Sequence, residues 1–146
     1  MKRGVSVFKM KEQLSIGMGV FMGVVSYLFG GCDSLLTVFS MIIIIDTITG
    51  MLKAWNLGEY ESSKFRSGFI KKSGYLLGVI LSVQIDTLLN SNGALRDAVL
   101  TFFVVNESFS IIENLSIMGV KFPAMLTNAL KALHDKNDGS SEGELK

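Results

Sequence analysis

QLSIGMGVFMGVVSYLFGGC, residues 13–32, runs for twenty positions without a charged side chain. As a helix rising 1.5 Å per residue it reaches ~30 Å, the thickness of a bilayer's hydrocarbon core. Three further apolar stretches follow. SLLTVFSMIIIIDTITGML (34–52) is interrupted only by Asp46, residues 73–89 carry one charge at Asp86, and AVLTFFVVNESFSIIENLSIMGV (98–120) carries Glu107 and Glu113. This pattern predicts an all-α integral membrane protein of about four transmembrane helices. The fourth stretch is the weakest, since a carboxylate at a helix centre costs ~2.5–3.5 kcal/mol on insertion scales. Leaving it at the interface gives three spans as the alternative.

Composition points the same way. Only 18% of the 146 residues are charged and 49% are hydrophobic, where a soluble domain carries about 25% charge. Fourteen Lys and Arg against thirteen Asp and Glu leave a net charge of +1, without the dense basic surface of a nucleic-acid binder. One Cys and one His exclude a disulfide framework and a Cys/His zinc site. With no phosphate-cradling glycine loop and no placed nucleophile–base pair, neither an enzyme nor a metal or cofactor is expected.

Basic residues sort by loop. Lys2, Arg3, Lys9 and Lys11 precede the first span, and the GGCD turn after it has none. Lys53, Lys64, Arg66, Lys71 and Lys72 follow the second, Arg96 stands alone in NSNGALRD, and Lys121, Lys131, Lys136 and Lys146 close the chain. Counts of 4, 0, 5, 1 and 4 are the positive-inside pattern of a multi-pass protein with both termini cytoplasmic. A charged start before an apolar run also fits a signal peptide, with LFGGC resembling a lipoprotein cleavage site at Cys32. Phe29 and the three later apolar segments count against cleavage, which leaves Cys32 as a small residue in a tight turn.

Small residues recur every four positions: Ser15, Gly19, Gly23; Gly74, Gly78, Ser82; and Gly50 between Asp46 and Ala54. Positions four apart share a helix face, and small residues there let helices approach closely in lipid. Such contacts serve packing within one chain or between copies. Asp46 and Asp86 are intramembrane carboxylates, and such groups face a partner or water. Asp46 lies about two turns from Lys53 and Asp86 near the opposite end of the third span, so they are not expected to pair. Lys71 or Lys72 can reach Asp46 as a structural ion pair.

On the fourth segment, Asn106, Glu107, Ser110, Glu113 and Asn114 fall within about 120° of one another. The far side carries Phe102, Val105, Phe109 and Ile112. This polar stripe lines water, bonds to stripes on neighbouring copies, or lies wet on the membrane surface. In the loop WNLGEYESSKFRSGFIKK (55–72), Ser62 and Ser63 can cap a helix. Trp55, Tyr60, Phe65 and Phe69 suit the headgroup level, while Lys64, Arg66, Lys71 and Lys72 suit anionic lipid headgroups at ~1 kcal/mol each. The same charges serve topology. Pro123 opens a short amphipathic helix through Leu133 at the membrane surface. Residues 1–134 thus read as a transmembrane domain, with His134 solvated at its helix end, and 135–146 as a disordered polar tail.

Three stretches carry a resemblance: DTITGMLKA, SSKFRSGFIKK and NESFSIIENLSIMGVKFP. In D-x-x-TG-x-x-KA (Asp46, Thr49, Gly50, Lys53, Ala54) and NE-x-x-S-x-x-EN with G-x-x-x-P (Asn106, Glu107, Ser110, Glu113, Asn114, Gly119, Pro123), the chain resembles the phage holins of the toxin-secretion/phage-lysis type from about residue 35 to 133. The resemblance implies a small inner-membrane protein that oligomerises and opens lesions, through which an endolysin, or in some members a toxin, leaves the cell. It implies membrane lipids and further copies of itself as partners, and no catalytic residues. A small cation channel or transporter subunit using Asp46, Asp86 and Glu107, or a non-lytic antiholin-like regulator, are the other readings of the same residues.

Overall fold

The computed structural model describes the backbone of residues 2–58 and 62–142 and the side chains of 11–58 and 66–133. The backbone forms five helices: α1 (Lys2–Phe29), α2 (Ser34–Leu57), α3 (Ser62–Leu89), α4 (Ala94–Ile117) and α5 (Ala124–Glu142). The described residues contain no strand. Among the described residues, three helical segments are long and apolar enough to cross a membrane: Lys11–Phe29, Ser34–Leu57 and Ala94–Ile117. The last contains the stretch that Glu107 and Glu113 made weakest in the sequence. The stretch 73–89 is not among the three; Lys71 and Lys72 bound it on one side, and Gln84 and Asp86 interrupt it on the other. The three that qualify include the fourth stretch, which the three-span alternative leaves at the interface, and omit the third.

α4 is the centre. α2 and α3 both pack along it, α5 packs against it, and α1 leans on α3. Paired residues give the directions. Asp33 meets Arg96, Phe39 meets Phe103 and Lys53 meets Asn114, so α2 and α4 run the same way. Gly78 meets Phe103 and Lys72 meets Glu107, so α3 runs against them.

The core is small. Phe39, Val79 and Leu100 are fully buried, with Tyr75, Val99, Phe103 and Val104 partly buried against them; the Tyr75 and Phe103 rings stack at 4.3 Å. Large apolar side chains elsewhere point outward, among them Ile16, Phe21, Ile44, Ile48 and Leu77, as suits a chain whose solvent is lipid. α1 is exposed over residues 11–24. Hydroxyls on the helices donate to carbonyls of their own turn, as Thr47 does to Ile43, Thr87 to Val83 and Ser108 to Val104. That satisfies them without water.

The turns depend on a few residues. The Asp33 carboxylate accepts from Leu36 N–H at 2.9 Å and caps α2. Gly58, left-handed at φ 68°, ends α2. Pro123 stands one position before α5, with its carbonyl accepting from Leu126. α5 continues to Glu142, past the boundary drawn at residue 134. The side chain of His134 and residues 143–146 of the tail lie outside the described residues, as do Tyr60 and the side chains of Ser62, Ser63, Lys64 and Phe65.

Candidate functional site: a buried polar cluster across three helices

Membrane helices keep polar side chains by turning them toward one another. α4 does so along one seam. Its buried residues are Arg96, Leu100, Val105, Glu107, Ile111 and Asn114, and all but Val105 fall on one side of the helix. Those five are spaced four, seven, four and three positions apart, as core residues of one helix face are. This seam cuts the expected polar stripe lengthwise. Glu107 and Asn114 lie in it, Asn106 and Ser110 are half-buried on its flank, and Glu113 is exposed.

Around the seam, three helices place their charges together. Lys72 of α3 donates to Asp46 of α2 at 2.7 Å and to Glu107 of α4. The Glu107 side chain is only 1% exposed and that of Asp46 12%. Asn114 ties in from the same face of α4. Its amide nitrogen donates to Asp46 at 3.3 Å, and its amide oxygen accepts from Lys53 at 3.1 Å. Lys71 lies 3.2 Å from Glu107 Oε1 as a charge partner. That oxygen is buried and accepts no hydrogen bond, so Glu107 is paired electrostatically and under-satisfied in hydrogen bonds. A continuous network thus runs Lys53, Asn114, Asp46, Lys72, Glu107. In a dry interior, such charges persist only by pairing.

The structure thereby makes the ion pair expected between Asp46 and Lys72. It also turns Lys72 inward, away from the headgroup level proposed for it, while Lys71 and Arg66 are largely exposed. Lys71 also lies over the Tyr75 ring at 5.4 Å. Asp46 and Asp86 are far apart, as their spacing required.

Asp86 works at the other end of the bundle. Its carboxylate accepts from the Ser91 hydroxyl at 2.7 Å and from the N–H groups of Gly93 and Leu95 at 2.7 and 2.9 Å. Gly93, at the start of α4, has no side chain to cap with, and Asp86 supplies the cap from the preceding helix. Beside it, buried Arg96 donates to the Phe29 carbonyl at 2.6 Å, to both carboxylate oxygens of Asp33 at 2.7 and 3.1 Å, and to Asp97 at 2.9 Å. The Arg96 hydrogen bonds, and then the Leu36 N–H, hold Asp33 down at a pKa of about 2. Sequence reasoning read Arg96 only as a loop charge. Its clasp joins residues more than sixty positions apart, and nothing local in the sequence signals it.

The small residues divide. A Cβ on Gly78 would lie 3.2 Å from the Phe103 ring, and one on Gly50 3.7 Å from the Asn114 amide. Those two serve close approach inside the chain. Ser82 is buried and donates to the Val79 carbonyl. Gly19, Gly23 and Gly74 face open space, with nothing within 4 Å.

The three stretches that carried the resemblance therefore meet in one cluster. Asp46, Gly50 and Lys53 come from the first, Lys72 from the second, and Glu107 and Asn114 from the third. Comparison with known proteins agrees. The sequence profile of the bacteriophage holin family matches residues 23–135. A protein of Bacillus phage phi105 named "Probable holin" is 39% identical over 117 residues, covering 80% of this chain and 86% of that one. An uncharacterised protein of Listeria monocytogenes is 37% identical over 133 residues, covering 91% and 94%. An uncharacterised 14.9 kDa protein of Clostridium perfringens is 33% identical over 112 residues, covering 76% and 85%. No solved structure matches. By profile and by relatives covered over most of their length, the chain belongs to the bacteriophage holin family.

Proposed function

We propose that this protein is a holin that assembles in the bacterial cytoplasmic membrane and opens lesions through which an endolysin, or a toxin, leaves the cell. The observation that carries the reading is the buried cluster of Asp46, Lys72, Glu107 and Asn114 within a bundle whose outer surface is apolar. A chain that only had to reside in lipid would gain stability from apolar residues at those positions. A chain that must later line water needs them. Four or five helices cannot enclose a protein-sized hole, so the lesion requires many copies. The open small-residue face of Gly19 and Gly23 and the exposed edge of the stripe at Glu113 supply contacts between copies. The balance between hidden and assembled states then depends on protomer density. The distribution of Lys and Arg supports a multi-pass arrangement with both termini cytoplasmic, and Arg66 and Lys71, with Lys64, suit anionic headgroups. Residues 1–134 form the membrane domain of this reading and 135–146 its dispensable tail.

The cation-path reading finds less support in the geometry. Asp86 is committed to capping α4 at the end of the bundle opposite Asp46 and Glu107. The test is induced expression in a bacterial host carrying a cytoplasmic endolysin. Protein level, membrane fraction and endolysin release are measured for wild type, for the double variant Glu107→Leu with Glu113→Leu, and for the corresponding Gln pair. The expected result is endolysin release by wild type and partial release by the Gln pair, with full membrane insertion but no lesion for the Leu pair. Ion leakage by wild type without endolysin release would refute the holin reading; full release by the Leu pair would remove the stripe from the lesion wall.

A further inference from the structure

The cluster has a feature that a merely stabilising salt bridge does not need. α2 and α3 each pack against α4, and Lys72 is the side chain that ties all three together. It touches Asp46 and Glu107 at once, with its own side chain 18% exposed. On the α2–α4 side of Lys72 lie the carboxylates of Asp46 and Glu107, the Asn114 amide and the Lys53 ammonium. α2 and α4 run parallel and in register, so these groups form one continuous polar face shared by two helices. In the closed protomer, α3 packs along α4 at the Glu107 end of that face, and Lys72 reaches across to supply its counter-charge. Glu107 Oε1, buried with the Lys71 ammonium 3.2 Å away but accepting no hydrogen bond, marks where the cover fits least well, since a buried carboxylate oxygen short of a hydrogen bond gains one as soon as water reaches it.

We infer that Lys72 is the latch of the closed state, and that withdrawing it with α3 exposes the α2–α4 face as the lining of the open lesion. The inference rests on the holin reading and adds two things to it. The lining includes Asp46 and Lys53 of α2 as well as the α4 stripe, and the resting protomer keeps it shut chiefly with Lys72, the one lysine of α3 among the described residues that bridges both helices, while Lys71 pairs with Glu107 alone. Lys72 is a positioning residue in this scheme: it acts on the lining by neutralising and covering it. Removing one partner of a buried pair is far more disruptive than exchanging the pair for its mirror image, which provides the test.

The full chain is purified in a Cys32→Ser background and reconstituted into phosphatidylethanolamine/phosphatidylglycerol vesicles holding a fluorescent dextran of protein size. Dextran release is followed as the protein-to-lipid ratio rises. Lys72→Met should open at a threshold density lower by on the order of tenfold, and Lys72→Arg near the wild-type threshold. The exchanged pair, Lys72→Glu with Glu107→Lys, should move the threshold back toward wild type, because Lys at 107 then stands between two carboxylates. A cysteine at Asn114 (Asn114→Cys, with Cys32→Ser) reports the lining directly. It should resist a membrane-impermeant maleimide below the threshold and react above it. The latch is overturned if Lys72→Met opens at the wild-type density, if the exchanged pair is as leaky as Lys72→Met, or if the cysteine at 114 reacts equally on both sides of the threshold. Lys72→Met that fails to insert leaves the exchanged pair and the cysteine to decide. Wild type that releases no dextran at any density would refute the underlying holin reading instead.

Discussion

Arg96→Met isolates the guanidinium clasp from the packing of its stem, since methionine keeps most of the side chain's length and apolar contact. The substitution removes two hydrogen bonds to Asp33 at 2.7 and 3.1 Å, one to the Phe29 carbonyl at 2.6 Å and one to Asp97 at 2.9 Å. Hydrogen bonds to charged groups contribute about 1.5–3 kcal/mol each before desolvation is counted. Two discounts apply. The Asp33 and Asp97 side chains are 48% and 54% exposed and regain water when Arg96 leaves, and the wild type carries the cost of keeping a buried guanidinium. The Phe29 carbonyl bond at the end of α1 and the bidentate geometry on Asp33 are not recovered. A loss of about 2–4 kcal/mol is expected. Asp33→Asn should lose about 1–2 kcal/mol, because Arg96 keeps its other acceptors. Unfolding in detergent micelles, followed by helical circular dichroism, measures both variants and their combination. A coupling energy of about 1–2 kcal/mol is expected from the double-mutant cycle. The pH dependence has a definite sign. The carboxyl of Asp33 is held at about 2 in the folded state against an ordinary 3.8. Its contribution is therefore complete above pH 3.8 and disappears as pH falls toward 2, and Asp33→Asn should be flat over that window. Effects that add without coupling, or an identical acid response in Asp33→Asn, would refute the clasp.

Gly30→Ala should destabilise by about 2 kcal/mol in the same assay, because φ is 71° and a Cβ would stand 3.0 Å from Arg96 Cδ. Gly78→Leu and Gly19→Leu should separate cleanly. The first overpacks the Phe103 ring at 3.2 Å and lowers protomer stability by about 1–3 kcal/mol. The second faces open space, stays within about 0.5 kcal/mol of wild type, and shortens the ladder of crosslinked oligomers; an unchanged ladder would remove the α1 face from assembly. Truncation after His134 should leave membrane insertion and crosslinking intact and shift only the timing of lysis, measured as optical density after induction at equal protein level.

Apolar run length was enough to read the helices and their number, since a twenty-residue stretch without charge has few other fates. The pairing of Asp46 with a lysine of the following loop was also legible, because an intramembrane carboxylate needs a partner and the lysines at 71 and 72 were within stem's reach. The arrangement of the stripe was not. A helical wheel gives the angle between Glu107 and Glu113 but not which direction faces a neighbour, and packing against α2 and α3 splits the arc between them. Arg96 was missed for a related reason: its partners at Phe29 and Asp33 are set by which helix packs beside which, a long-range property that no local pattern encodes. The third apolar stretch falls outside the three that length and composition single out, because Gln84, Asp86 and the lysines that bound it lower its hydropathy.

The central position of α4 has a consequence for the order in which the chain can fold. The links that fix α2 and α3 run through residues of α4, and they join positions 61 to 68 apart on the α2 side and 35 apart at Lys72–Glu107. Until α4 has been synthesised, Asp33, Asp46 and Lys53 lack their partners on it. The nascent helices can form one by one, but their mutual arrangement carries a large loop-closure entropy with little contact energy to offset it. Folding is therefore committed late in synthesis. A chain cut short before α4 keeps its helices, the contact of α1 with α3 and the Asp46–Lys72 pair, but lacks the element along which α2 and α3 are packed, so the 24 residues of α4 decide whether the earlier helices become a bundle.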